Sequence, residues 1–356
     1  LRLFALSHVT PKKFLFGNTI RNSISPLVFL ATGSADHDAS KSEMGKMNNQ
    51  VVKLQKKNVV TKFTDLLEGK YFAWFLLAPS LLMIAFFIFY PLYRGLSLSL
   101  TRTILLEGPG STYVGFSNFQ KLIKDPLFWT ATKHTLIYLV IGLLSQVALG
   151  LTAAILLSKE RRMAWLVRMI LVLPWFVPPV VTAYMWRFML DPDYGIIVKV
   201  VHFVGIDLGG AGIWGDPHKT LYGILFVQLW CSYPFFMLFF LAGIQGIPKD
   251  MRESTSMDGA SSFQHFIYVT LPLIKPVVFV SSLLGAISLI NSPTLVLLMS
   301  NGGPGDSTLV LPLYAFRKAF QSFDFGYAST ISVAVLAAIL GFAMVYIRFI
   351  GFGKEE

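Results

Sequence analysis

The chain has 356 residues, 54% of them hydrophobic and only 14% charged, where soluble domains carry about 25% charged residues. Several stretches supply the roughly 20 apolar residues of a bilayer helix, so the composition predicts an all-α polytopic membrane protein and excludes a soluble globular domain. The net charge of +11 raises the possibility of a nucleic-acid partner, but its placement decides otherwise, and the single cysteine, Cys231, excludes a disulfide framework and a cysteine-based zinc site.

Residues 1–70 differ in kind from the remainder of the chain. They hold eleven Lys/Arg against five Asp/Glu, with no acidic residue before Asp36, and the first residue is Leu. "ISPLVFLATGSA" (Ile24–Ala35) is similar to a short signal h-region, and the basic, Ser-containing stretch before it is faintly similar to a transit peptide. The plainer reading starts translation at Met44 or Met47 and makes the upstream residues an over-called extension. The expected organisation is a basic extension over 1–70, disordered or partly over-called, a membrane domain over 71–350 and a short tail over 351–356.

Six spans are predicted: Phe72–Ser97, Leu136–Leu157, Trp165–Phe188, Leu221–Ile244, Leu271–Met299 and Ala328–Ile350. Most are apolar around the whole helix, as lipid and bundle contacts require. Prolines recur in or near them at 79, 91, 174, 178, 179, 234, 276 and 293. Neighbouring helices can satisfy the carbonyls that a proline frees, so kinked spans are expected. The basic N-terminus, Ser158–Arg168, the segment 248–268 and the C-terminus fall on one side with 19 Lys/Arg, and the opposite loops carry 7. That excess places both termini and the segment in the cytoplasm. The basic charge is thus mostly a topology signal, and no arginine-rich, aromatic-interleaved patch suits nucleic acid.

On the opposite side, "LDPDYG" (Leu190–Gly195) and "NGGPGDS" (Asn301–Ser307) read as ordered turns. "LPLYAFRKAFQSFDFGY" (Leu311–Tyr327) places Leu313, Phe316, Ala319 or Phe320, and Phe323 at helical spacing. It predicts a short amphipathic helix packed on the outer face through that stripe.

The segment between the fourth and fifth spans is too polar to be a simple turn. Pro248 suits a first helical position, and Gly259 suits the residue after a helix end, where φ is positive. A second short helix comes next, with Phe263, Phe266 and Ile267 at i, i+3, i+4 spacing to anchor one face, and Pro272 suits the first turn of the next span. The prediction is two short helices joined at Asp258–Gly259, lying across the end of the bundle. By spacing alone an interfacial hairpin without a partner is an equal reading.

"ESTSMDGASSFQHFIYVTLPLIKPV" resembles the EAA motif of permease subunits in ABC-type importers, E-A-A-x-x-D-G-A-x-x-x-x-x-F-x-x-I-x-L-P. Glu253, Asp258, Gly259, Ala260, Phe266, Leu271 and Pro272 match it, and Ser254 and Thr255 replace its two alanines. "LVLPWFVPPVVTAYMWRFMLDPDYG", "LYGILFVQLWCSYPFFMLFFLAGIQGIPKD" and "NGGPGDSTLVLPLYAFRKAFQSFDFGYASTISV" are similar to maltose-like sugar permeases. The resemblance covers about Ala73 to Phe349. It implies a type I importer permease fold in the inner membrane, a second permease subunit, two ATPase subunits docked on the cytoplasmic loops and an extracytoplasmic solute-binding protein. It also implies that Glu253, Asp258, Gly259, Ala260 and Phe266 couple to the ATPase. No G-x-x-x-x-G-K-S/T occurs in the chain, so ATP and Mg belong to the partner and no cofactor is expected here.

The other function classes lack their residues. The six histidines are scattered without metal-ligand spacing, and no carboxylate lies deep in a proposed span. A proton-coupled carrier and a membrane-embedded enzyme are therefore disfavoured. Neutral polar groups do enter the spans: Gln146, Gln228, Ser281, Ser282, Ser288, Asn291, Ser292 and Thr294. Ser281, Gly285, Ser288 and Ser292 share one face, which reads either as close helix packing or as a path for uncharged polar cargo. Gln228, Trp230, Tyr233, Ser288 and Asn291 are the path candidates, because a sugar offers hydroxyls to amide and hydroxyl groups and an apolar face to an aromatic ring. Asn291 matches a polar position of the resembling family, while Pro293 and Thr294 depart from its Phe and Asp neighbourhood. The resemblance also leaves open a phosphorylated sugar alcohol such as glycerol 3-phosphate.

Overall fold

The computed structural model describes residues 72–350 except 109, 159–162, 206–209, 211, 249, 252–254, 256 and 258. The expected extension over 1–70, with its signal-like stretch and both candidate start methionines, and the tail over 351–356 lie outside the described residues. The chain divides into two compact units at Ala85. The first is described through helix α1 (Phe72–Ile84), which is apolar apart from Ser80 and holds Pro79 without a break.

The second unit contains the rest. After a π turn (Ala85–Phe89) come α2 (Tyr90–Ser99), β1 (Thr101–Arg102), β2 (Thr112–Tyr113), α3 (Ser117–Ile123) and the long α4 (Pro126–Ser158). Next are α5 (Ala164–Phe176), α6 (Pro179–Met189), α7 (Ile196–Phe203), α8 (Thr220–Gln245), α9 (Ser262–His265), a second π turn (Phe266–Thr270) and α10 (Leu271–Asn291). The chain ends in α11 (Thr294–Met299), α12 (Leu311–Phe320) and α13 (Phe325–Ile350). The two-residue strands pair antiparallel, Thr101 with Tyr113 and Arg102 with Thr112. They are too short to show an alternating pattern in the sequence.

Among the described residues, five helical runs are long and apolar enough to cross a membrane: Leu76–Ser99, Pro126–Ser158, Thr220–Gln245, Ser262–Met299 and Phe325–Arg348. The expected third span is present as α5 and α6, bent by 96°. The cause lies in Pro178 and Pro179. A residue before a proline is pushed out of the α region, and here two successive residues precede prolines. Val177 (φ −74°, ψ 123°) and Pro178 (φ −56°, ψ 139°) are accordingly both extended. The same rule ends α10: Ser292 precedes Pro293 and has ψ 87°.

Helix α8 lies against α4, α5 and α10. Its Phe236, only 1% exposed, meets a glycine on each of two helices. A Cβ on Gly150 of α4 would lie 2.5 Å from Phe236 Cβ and 3.0 Å from the Met237 backbone nitrogen, and a Cβ on Gly285 of α10 would strike the ring. Small residues let helices approach where lipid provides no hydrophobic drive to pack them. Two apolar clusters fill the bundle. One joins Leu221–Val227 of α8 to Tyr138 and Leu139 of α4 and to α11, α12 and α13. The other joins Phe236–Ile244 to Ala154, Leu157 and Ile274. Helices α4 and α8 therefore run parallel, with α10 antiparallel to both.

The expected amphipathic helix exists as α12, but with a different buried stripe. Leu311, Leu313, Tyr314 and Ala315 are buried, whereas Phe316, Phe320 and Phe323 are exposed. Docking occurs through the helix start: the Leu311 N–H donates to Thr135 Oγ1 on α4 at 2.8 Å. Phe323 has left the helix, with φ +53°. The predicted turns hold; Asp191 Oδ1 accepts from the Asp193 and Tyr194 N–H groups, and Arg317 pairs with Asp306 at 2.6 Å while also donating to the Asn301 carbonyl.

One polar clamp at this end has no sequence signature. Asp125 Oδ1 accepts the Leu127 N–H at the start of α4. Its Oδ2 accepts from Tyr314 of α12 at 2.5 Å and from Tyr327 of α13 at 2.6 Å. Lys121 and Lys318 sit over the Tyr327 ring at 4.6 and 5.7 Å. One carboxylate thus ties three elements together. Burial works to raise its pKa, but the bonds from Tyr314, Tyr327 and the Leu127 and Phe128 N–H groups outweigh burial and hold it below the usual carboxylate value.

Both the glycine contact and the clamp can be tested by stability. Gly150→Val overpacks the Phe236 contact and lowers stability by about 1–3 kcal/mol; thermal unfolding of the purified chain in detergent reads the loss, with Gly341→Ala, where a Cβ meets nothing within 4 Å, as the unaffected control. For Asp125, a folded pKa below the unfolded one means stabilisation at neutral pH that is lost as pH falls below about 4. Asp125→Asn therefore melts lower than the unmodified chain at pH 7, and the gap closes on acidification. A gap constant from about pH 7 to pH 3 would contradict the clamp.

Candidate functional site

The segment between α8 and α9 begins where Ile247 closes the core below Gln245. Glu253 and Asp258 lie outside the described residues. Thr255 and Met257 are helical, and Gly259 comes after them with φ +74°. The Ala260 N–H donates to the Thr255 carbonyl at 3.3 Å. That six-to-one bond, with a left-handed glycine between, is a Schellman helix end, which satisfies carbonyls a helix terminus would otherwise leave unpaired. Gly259 therefore occupies the position expected of it. Thr255, which replaces an alanine of the motif, turns its hydroxyl onto the Met251 carbonyl at 2.6 Å and projects no unpaired polar group.

The second helix starts at a capping box: Gln264 N–H donates to Ser261 Oγ, and Ser261 N–H donates to Gln264 Oε1 at 2.8 Å. Two expectations are corrected here. The helix does not lie as a separate element across the bundle end; it continues through the π turn into α10 as one run from Ser262 to Met299. Phe263 is not an anchor but 73% exposed, while Phe266 and Ile267 are half-buried. Once the helix joins α10 in line, its apolar stripe cannot fold back onto the bundle. Met257, at 88% exposed, and Phe263 leave a free apolar surface on either side of Gly259.

The path candidates separate into two groups. Gln228 is satisfied inside the bundle: its Oε1 accepts from Tyr138 OH at 3.0 Å, and its Nε2 donates to Ser232 Oγ at 2.7 Å. Tyr233 is buried and donates to the Leu171 carbonyl of α5 at 2.9 Å. Trp230 is half-buried and meets Trp186 edge-on, 5.4 Å between ring centres. Ser288 and Asn291 are exposed on α10. They lie at the depth of Leu225 to Phe236 on α8, because Gly285 faces Phe236 while Leu289 and Leu225 both meet Gly142.

The small-residue face of α10 divides in the same way. Ser281 is buried and bonded to its own helix at Val277, and Gly285 lies under Phe236. Ser288 and Ser292 are open. One half of the face is packing, and the other is an exposed polar surface within a membrane-length run. Tyr138, the partner of Gln228, carries no signal in the sequence; its contact spans 90 residues and leaves no local pattern. Gln146, 1% exposed, has an Nε2 without a partner among the described residues.

Residues 146–350, more than half of the chain, match the family described as binding-protein-dependent transport system inner membrane component. The trehalose/maltose transport system permease protein of Thermococcus litoralis is 30% identical, with 77% of this chain and 92% of that protein covered. The sulfoquinovosyl glycerol transport system permease protein of Agrobacterium fabrum is 29% identical, with 82% of this chain and 93% of that protein covered. A chain of the bacterial alginate ABC transporter, solved in complex with an alginate pentasaccharide-bound periplasmic protein, superposes with a TM-score of 0.69 over 81% of this chain and 98% of its own. At 20% sequence identity that likeness shows a shared fold. By the family match and the relative at 30% identity, the chain belongs to the family of binding-protein-dependent transport system inner membrane components, as a multi-pass, non-catalytic permease subunit.

Proposed function

We propose that the chain is the permease subunit of an ATP-driven importer for a sugar or sugar-like solute. An extracytoplasmic binding protein delivers the solute, a second permease subunit completes the pathway, and two ATPase subunits supply the energy, holding ATP and Mg themselves. Both termini and the segment 248–268 face the cytoplasm, in keeping with the 19-to-7 distribution of basic residues. The observation that carries the coupling role is the Schellman end at Gly259. It presents Met257 and Phe263 as exposed apolar groups, with the Thr255 hydroxyl bonded to the Met251 carbonyl and the Thr255 carbonyl to the Ala260 N–H. Glu253, Asp258, Gly259, Ala260 and Phe266 form this ATPase-coupling surface. The names of the relatives support the sugar class, and so does the polar surface at Ser288 and Asn291, which contains no charged group and suits hydroxyl-bearing cargo.

Reconstitution with the cognate binding protein and ATPase tests the coupling. Gly259→Pro, which cannot adopt the positive φ, and Glu253→Lys, which reverses a charge on the docking surface, should each abolish transport while the chain remains inserted. Wild-type transport in both variants would falsify the coupling role. In a Cys231→Ser background, a cysteine at His218 should react with an impermeant reagent from outside and one at Met257 should not; the reverse pattern would overturn the orientation. For the cargo path, Asn291→Leu and Ser288→Leu should slow transport or alter sugar preference without uncoupling the ATPase from the binding protein. Unchanged transport and preference in both would make that surface a subunit contact instead.

A further inference from the structure

The run from Ser262 to Met299 is not α-helical throughout. At Phe266–Thr270 it opens into a π turn, where the Leu271 N–H donates to the Phe266 carbonyl five residues back. The cause is two residues further on. Pro272 has no N–H, and in α register its ring would strike the Tyr268 carbonyl. The π turn at Ala85–Phe89 has the same origin, with Pro91 two residues beyond its end and the Phe87 carbonyl in the way.

The turn near the coupling segment carries something more. His265 Nδ1 and Thr270 Oγ1 are 3.2 Å apart, a hydrogen bond across five residues. In an α-helix five steps of about 100° leave two side chains about 140° apart around the axis, out of reach of each other. A π turn, closed by a five-residue backbone bond, is wider and brings the two onto the same face. The bond therefore favours the π register over the α register. Thr270 is 6% exposed, and His265 Nε2 is buried without a partner among the described residues. The ring is held for the sake of one nitrogen while the other goes unpaired, which is costly in a buried site. On the far side of α9 the chain is freer: the capping box at Ser261 ends the helix firmly, and around Gly259 nothing lies within 4 Å of a Cβ.

We propose that His265 and Thr270 are a positioning pair that locks the π turn and so sets the rotation of the coupling segment about the axis of α10. A push on the segment is then taken up by α10 as a rigid body, and bending is confined to the chain around Gly259. The consequence for transport rests on the coupling role proposed above for this segment; the geometry of the joint does not.

The test uses the assembled transporter in proteoliposomes, with Thr270→Val, which keeps the shape and removes the hydroxyl, and Thr270→Ser, which keeps the hydroxyl. Spin labels at exposed Phe263, on the α10 side of Gly259, and at Leu284 report the rotation of the segment against α10 as a distance distribution. Loss of one hydrogen bond raises the population of the unlocked joint about two- to tenfold. Thr270→Val should accordingly broaden or shift the distribution and reduce solute moved per ATP hydrolysed, while Thr270→Ser matches the unmodified protein in both. A distribution in Thr270→Val identical to that of the unmodified protein overturns the lock, and so does an equal change in Thr270→Ser. Gly259→Pro in the same assay separates the two claims. If it and Glu253→Lys both transport normally, the coupling role of the segment fails, and the distance measurement still decides the joint. If it is inactive and Thr270→Val is silent in both readouts, the positioning pair alone is wrong.

Discussion

Phe236 between Gly150 and Gly285 is the contact on which the bundle is arranged. Lipid gives helices no hydrophobic reason to leave it for each other, so association depends on close packing and on polar contacts. A single large side chain facing a glycine on each of two neighbours sets how deeply α8 lies against α4 and α10. The directional bonds depend on that depth. Gln228 reaches Tyr138 on α4, and Tyr233 reaches the Leu171 carbonyl on α5, so that α8 is tied to its neighbours at more than one level. Gln228 and Tyr233 belong to this framework, whereas Ser288 and Asn291 on α10 are exposed.

The prolines show how the same chemistry gives three outcomes. Pro79, Pro234 and Pro276 remain inside unbroken helices. Pro91 and Pro272 each sit two residues beyond a π turn, which widens the helix and moves a carbonyl from the ring. Pro178 and Pro179 bend the third span by 96°, and Pro293 ends α10 within a run that continues to Met299. The consecutive prolines at 178 and 179 extend two residues in a row, and no single turn of helix can absorb both. Burial does not decide the outcome: Pro234 is buried while Pro79 and Pro276 are exposed, and all three stay within a helix.

Much of this is legible in the sequence because it depends on composition and local backbone chemistry. The six apolar stretches, the positive φ at Gly259 and the turns at Asp191 and Asn301 are short-range consequences of residue type. The π turns are not legible, since a proline near a span end reads equally well as a helix start. Phe263 and the Phe316–Phe320–Phe323 stripe mislead because helical spacing shows which residues share a face and not whether anything lies opposite. Asp125, Tyr314 and Tyr327 meet across 189 and 202 residues, and no pattern in the chain joins them.

The two ends of the bundle are built differently. At the end carrying α12, Asp125 joins α4, α12 and α13, Thr135 holds the start of α12, and the Thr330 hydroxyl donates to the Ser99 carbonyl of α2. The backbone interlocks as well, with the Phe325 N–H on the Thr103 carbonyl and the Leu105 N–H on that of Phe323. These bonds connect elements distant in sequence, so no one of them can move alone. At the other end, among the described residues after α8, the bonds are local: a helix end at Gly259, a capping box at Ser261 and a π turn at Phe266–Thr270. Local bonds of that kind preserve the shape of the segment. A force applied there meets a stiff body on a free joint, and one applied at the α12 end meets a cross-braced platform.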